Sequence, residues 1–193
     1  MNKKKIAIIL NIVLVIAEVI GLVSSISQEH RLMVEYYTID SNVITFISSI
    51  LFLLFYGKKE FVKDLRFIST GCLTVTMLVV IFILTPMYSF DYKLLMFTGN
   101  FFVFHTLCPM ISIVSYIFFE EGTKKKNLVF YMTLLYGITL ILLNVLKVVV
   151  GPYPFLMVYN QTVWMSILWC VIILGLSEAI GLGIHTLNRK RIH

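Results

Sequence analysis

Charge is scarce in this chain of 193 residues. Asp, Glu, Lys and Arg together make up 13% of it, about half the share of roughly 25% found in soluble domains. With 59% apolar residues and a mean hydropathy of +0.93, that scarcity excludes a soluble globular protein and a disordered tail. The net charge of +6 does not signal a nucleic-acid partner, because most Lys and Arg residues stand in short clusters between apolar runs. Cysteine is scarce too. Cys72, Cys108 and Cys170 all lie inside apolar segments, so no disulfide is expected, and no CxxC pair offers a metal site. Also lacking are a soluble domain, a linker, a low-complexity tract, an internal repeat, a phosphate loop and a haem motif. No cofactor and no metal is implied.

What the chain does have is apolar runs long enough to cross a bilayer, which takes about 20 residues. Six qualify: 6–24, 37–56, 67–87, 94–119, 128–150 and 162–187. The fold class expected is all-α, a polytopic membrane protein in which 1–193 form a single six-helix transmembrane domain. The first run follows three lysines, as a signal peptide would. At about 19 residues it exceeds the usual apolar core of roughly 7–15, and it carries Glu18 without a convincing cleavage site, so a retained helix is expected. All Lys and Arg but Arg31, Lys93 and Lys147 fall in the N-terminal segment, the second and fourth loops, and the tail. The positive-inside rule then puts both termini in the cytoplasm. Tyr36, Tyr37, Tyr88, Tyr92, Tyr153, Tyr159 and Trp164 form an aromatic belt at the outer ends.

Ionisable groups inside hydrocarbon are costly and default to functional hypotheses. Here they are Glu18, Asp40, His105, Lys147 and Glu178, accompanied by Thr38, Asn42, Asn100 and Asn144. Counting depth at about 1.5 Å per residue places all but His105 and Glu178 in the outer half, and His105 near mid-membrane. One polar cavity open to the outside is the economical arrangement. The plainer readings stand beside it. Lys147, taken to lie in the fifth helix, can be neutralised by Glu18 or Asp40. The asparagines can serve as interhelical hydrogen-bond glue. Glu178 lies by a Gly175, Ala179, Gly183 face suited to close helix packing. His105 stands out because Pro109, four residues on, has no N–H for the His105 carbonyl, so the helix should bend there.

Three segments carry a family resemblance: Tyr36-Tyr37-Thr38-Ile39-Asp40-Ser41-Asn42, Phe104-His105-Thr106-Leu107-Cys108-Pro109 and Gly151-Pro152-Tyr153-Pro154-Phe155-Leu156. In their order and spacing, with six spans, the chain resembles the family of androgen-induced protein and androgen-dependent tissue-factor-pathway-inhibitor-regulating protein, and more closely its bacterial six-helix branch. The proline after His105 comes one residue earlier than in the animal pattern. The resemblance implies an intramembrane hydrolase of fatty-acid esters of hydroxy fatty acids, with Thr38 and His105 as its catalytic pair. It also implies a bacterial plasma membrane as the setting and a membrane lipid as the substrate.

The chemistry follows general rules. A threonine hydroxyl attacks an ester only when a base takes its proton. A neutral His105 can do so, and the oxyanion then needs donors. Asn42 and Asn100 are the candidates by depth, and Glu18 or Asp40 could orient the histidine. Two rival readings use the same residues: a small proton-coupled transporter and a non-catalytic membrane scaffold. The oligomeric state is left open.

Overall fold

The computed structural model describes residues 2–192 and, among them, is helical without a strand. Six helices are long and apolar enough to span a membrane, and the protein is a multi-pass membrane protein. We number all helices in chain order. The spans are α1 (Lys3–Glu29), α2 (Tyr37–Phe55), α3 (Glu60–Met87), α5 (Gly99–Phe119), α6 (Leu128–Val145) and α7 (Val163–Ile192), while α4 (Tyr92–Phe97) is a short helix before α5. Their starts and stops have local causes. Asn2 Oδ1 accepts from Lys4 N at 3.0 Å to cap α1, and Asp91 Oδ1 accepts from Leu94 N at 2.9 Å to cap α4. The α2–α3 turn begins with Tyr56 and Gly57 in the left-handed region, at φ +52° and +66°.

Three of the edges that differ from the sequence-based expectation change where polar residues lie. α3 begins seven residues earlier, which brings Arg66 inside a helix. α5 begins at Gly99, because Thr98 is extended and Gly99 has φ +50°. α6 ends at Val145, so Lys147 lies outside the fifth helix, in the 146–162 connection, with φ +59°.

α3 is the central element. It packs on α2, α5, α6 and α7, while α1 closes against α2 and α5. Phe67, Cys72, Val75 and Val79 of α3 join Tyr116, Val129 and Ile180 in the main core, and Leu73 joins Leu14, Ala17 and Cys108 in a second cluster. Val129 is the wedge that holds α6 in place. A Cβ on Gly71 would come within 2.2 Å of its side chain, and one on Gly181 within 3.3 Å. The close-packing glycines of α3 and α7 are therefore Gly71 and Gly181. Gly175 and Gly183 have nothing within 4 Å, which corrects the small-residue face expected there. The outer surfaces of α1, α6 and α7 are apolar, with Ile16, Ile20, Val23, Leu135, Val163, Trp164 and Val171 exposed, as a lipid-facing surface requires.

Two spans are interrupted rather than one. Val80–Leu84 in α3 and Val103–Leu107 in α5 are π turns, and in each a proline follows two residues later, Pro86 and Pro109. Proline has no N–H and crowds the carbonyl four residues back. The wider π turn accommodates both defects in a helix that continues. At the first of the two π turns Thr85 holds Val80 O twice, with its N–H and, at 2.7 Å, with its Oγ1.

The loops gather at two ends. Lys63 pairs with Glu121 at 2.8 Å, Lys125 with Asp64 at 2.6 Å, Arg191 Nη2 donates to Glu120 O at 3.2 Å, and Lys4 lies over the Tyr56 ring. These contacts join the N-terminal segment, the α2–α3 turn, the α5–α6 loop and the end of α7 into one basic end. The opposite end is built from 30–36, 88–98 and 146–162.

Candidate functional site

A cavity of about 190 Å³ lies between α2, α3, α6, α7 and the 146–162 connection. Val75 and Val79 of α3, Leu134 and Ile141 of α6, and Trp169 and Ile173 of α7 make its wall apolar. Gly137 leaves open space beside it on α6. Polar groups gather at the start of α2. Tyr153 Oη lies 3.3 Å from Thr38 Oγ1 and accepts from Thr38 N at 3.4 Å. Tyr37 Oη is 2.8 Å from Thr133 Oγ1.

Local sequence explains this corner. Thr38 sits in the first turn of α2, where backbone N–H groups lack helical partners. Those of Ile39 and Asp40 turn back to Tyr36 O, and that of Thr38 is taken by the Tyr153 phenol. Pro152 and Pro154 flank Tyr153 and stiffen it. Its ring stacks on Phe155 with centroids 5.2 Å apart and meets Tyr36 edge-on at 5.7 Å. Burial pushes the Tyr153 phenol up to about 12, with the Thr38 hydrogen bonds pulling weakly the other way. It therefore remains a neutral O–H donor at physiological pH.

Two of the three segments that carry the family resemblance thus meet, and the third stands apart. His105 lies in the α5 π turn. Its Nδ1 is 2.7 Å from Leu95 O, and its ring stacks on Phe101. A carbonyl only accepts, so Nδ1 carries the hydrogen and the neutral ring keeps its lone pair on Nε2. Thr106 Oγ1 donates to Met96 O at 2.7 Å, so the π turn is strapped to α4 by two side chains. No hydrogen bond joins His105 to Thr38, and His105 does not line the cavity. The cavity is walled by α6 and α7, and α5, which packs on α1, α3 and α7 and through its π turn on α2, contributes no residue to it.

The remaining polar residues are dispersed; of those read from the sequence, only Thr38 lines this cavity. Asn42 is fully buried, and its Nδ2 donates to Thr38 O at 2.6 Å. Asn100 and Asp40 are half-buried, at the end opposite the basic one. Glu18 is fully buried in α1 beside Cys108. Asn144 clamps the 146–162 connection: its Nδ2 donates to Val149 O at 3.0 Å, and its Oδ1 accepts from Val158 N at 3.1 Å. Lys147 lies over the Tyr159 ring at 5.5 Å and forms no ion pair with Glu18 or Asp40 among the described residues. Its charge sits exposed in the 146–162 connection, where it needs no buried counter-ion.

The buried ion pair is elsewhere. Arg66 and Glu120, read from the sequence as loop residues, are both fully enclosed. Arg66 Nε and Nη2 each donate to Glu120 at 3.0 Å, and the rest of the guanidinium reaches Ser48, Ser49, Ser69 and Ser112. Glu120 also accepts from Asn11 Nδ2 at 2.9 Å and Ser115 Oγ at 2.6 Å. A signal for this cluster was present: serines recur at one helical face in three spans, Ser48/Ser49, Ser69 and Ser112/Ser115. Compared with protein-family models, with curated proteins and with solved structures, the chain matches none.

Proposed function

We propose that the protein is an intramembrane lipid-ester hydrolase that seats an acyl chain in the α2–α3–α6–α7 cavity and cleaves the ester at Thr38. The observation that carries this reading is the Thr38–Tyr153 contact at the polar corner of an otherwise apolar cavity. Apolar walls retain a chain by about 0.8 kcal/mol per buried CH₂, and the start of α2 brings the positive end of a helix dipole to the reacting carbonyl. Thr38 Oγ would attack the carbonyl carbon, giving a tetrahedral oxyanion. The alcohol would leave with a proton, and water would then release the acid from the acyl-threonine. Tyr153, neutral, orients Oγ1 rather than accepting its proton. The base in this reading is His105 Nε2, which requires the π turn, already packed on α2, to bring the His105 ring to Thr38 when substrate is bound. Fatty-acid esters of hydroxy fatty acids are the substrates the resemblance suggests. The setting we propose is a bacterial plasma membrane, with the basic end and both termini in the cytoplasm.

The test is fluorophosphonate labelling and ester turnover by the purified protein. Thr38→Ala should abolish both, and Thr38→Ser should retain part. His105→Ala should lower turnover by roughly 10²–10⁴-fold, the range for general-base loss, and Tyr153→Phe less. Double replacement of Thr38 and His105 should cost no more than Thr38→Ala alone. Labelling that survives in Thr38→Ala would move the nucleophile elsewhere, Ser41 first. A second reading, a small proton-coupled transporter, is favoured by one observation, the buried Arg66–Glu120 seam. Turnover without proton flux in liposomes would set it aside.

A further inference from the structure

The seam between α1, α2, α3 and α5 holds a second feature, independent of the hydrolase reading. Both carboxyl oxygens of Glu18 and the Oδ1 of Asn42 are buried without a hydrogen-bond partner. Each residue is 0% exposed. Paired side chains set the register of the seam. Ser41 meets Thr76 and Ser48 meets Ser69, which aligns α2 with α3, and Thr70 meets Ser112, which aligns α3 with α5. Cys108, one turn outward of Ser112, is thus level with about Thr74 of α3, and Thr74 with about residue 43 of α2. Glu18 lies beside Cys108, so Glu18 and Asn42 stand at one level of the bundle on adjacent helices.

Three acceptor atoms at one buried level, with no donor among them, leave one negative charge uncompensated. The neighbouring groups do not supply the missing charge. On α3, Arg66 lies about two turns further in, and Glu120 and the serines occupy its guanidinium. On α5, Cys108 is a weak S–H donor, and His105 has given its Nδ1 hydrogen to Leu95 O. On α2, Asp40 would add negative charge, and the Asn42 amide nitrogen is taken by Thr38 O. An isolated carboxylate there is prohibitive, and a positive charge bound to it removes the penalty.

We propose that Glu18 and Asn42 form an intramembrane binding site for a single monovalent cation, a proton or a sodium ion. Hydroxyls lead from it in both directions, Ser41 and Thr76 outward, Thr45, Ser48 and Ser69 inward.

The test is the melting temperature of the purified protein and of Glu18→Gln. It is measured from about pH 5 to about pH 9, with sodium or with choline at constant ionic strength. If sodium binds, wild type should gain a constant increment per tenfold rise in sodium above its Kd, and Glu18→Gln should not respond. If a proton binds, the two proteins should melt together at acidic pH. Wild type should then fall progressively below the variant as pH rises, whatever the sodium. Wild-type and variant curves that stay parallel across pH and sodium would overturn the proposal, since Glu18 would then be permanently ionised. Glu18→Leu serves if the Gln variant does not fold. Failure of both to fold, with wild type indifferent to sodium and no less stable as pH rises, overturns it as well.

Discussion

A guanidinium and a carboxylate enclosed in a membrane bundle are each costly unless every donor and acceptor is used. Arg66 and Glu120 come close to that limit, because hydroxyls take up what the pair leaves over. Removing one partner strands the other. Arg66→Met should therefore destabilise the protein by about 3–5 kcal/mol, the cost of an uncompensated buried charge. Arg66→Met with Glu120→Leu should recover most of that loss. Thermal unfolding in detergent reads both, and additive single losses would mean the two residues do not act as a pair. Thr38 presents the opposite case. Its hydroxyl contributes about 1 kcal/mol at most to stability, so the Thr38→Ala protein should melt close to wild type and its lost turnover can be assigned to chemistry.

At the scale of elements, the 146–162 connection is held by one side chain from the end of α6. Asn144 stops that helix by bonding Val149 O and Val158 N, and the connection in turn carries Tyr153 to the start of α2. Asn144→Leu keeps the branched shape and removes both bonds. The connection should then become protease-sensitive between 146 and 162, and Thr38-dependent labelling should fall although Asn144 is remote from the ester. Limited proteolysis with mass mapping checks the first, and unchanged cleavage would show that Pro152 and Pro154 suffice. These boundaries also show what the sequence made legible. Six spans were readable because each is an apolar run of bilayer length. Their edges were not, wherever a partner distant in sequence decided them. Arg66 is drawn inside by Glu120, 54 residues away, and α6 is cut short by an asparagine that finds its partners beyond the helix. Thr38 was legible as a candidate, but its neighbour was not: Tyr153 is 115 residues distant, and His105, read as its partner, lies outside its cavity.

For the whole molecule, six antiparallel spans put residue 3 and residue 191 at the same end, and four basic segments meet there. Reporter fusions after Tyr56, after Glu121 and at the C-terminus should all read cytoplasmic, and fusions near Glu29, Tyr92 and Tyr159 external. A split result would break the six-span bundle itself, whereas a uniform inversion would reverse the end from which the cavity is entered. α3 separates two interiors of different character, a hydroxyl-lined seam toward α1 and α5 and an oily cavity toward α6 and α7.

The π turns make this a chain with two surplus residues. A residue lost from a regular helix turns everything beyond it by about 100°, which would swing a buried face into lipid. A residue lost from Val80–Leu84 only tightens that turn to the ordinary pitch, provided Pro86 no longer needs the extra width. Deleting the lipid-facing Phe82 together with Pro86→Ala should thus give a monodisperse, folded protein. Deleting the equally dispensable-looking Ile47 from α2 should not, and size-exclusion profiles in detergent would tell them apart. Within the described spans, tolerance to shortening is then confined to two places, and both are marked in advance by a proline.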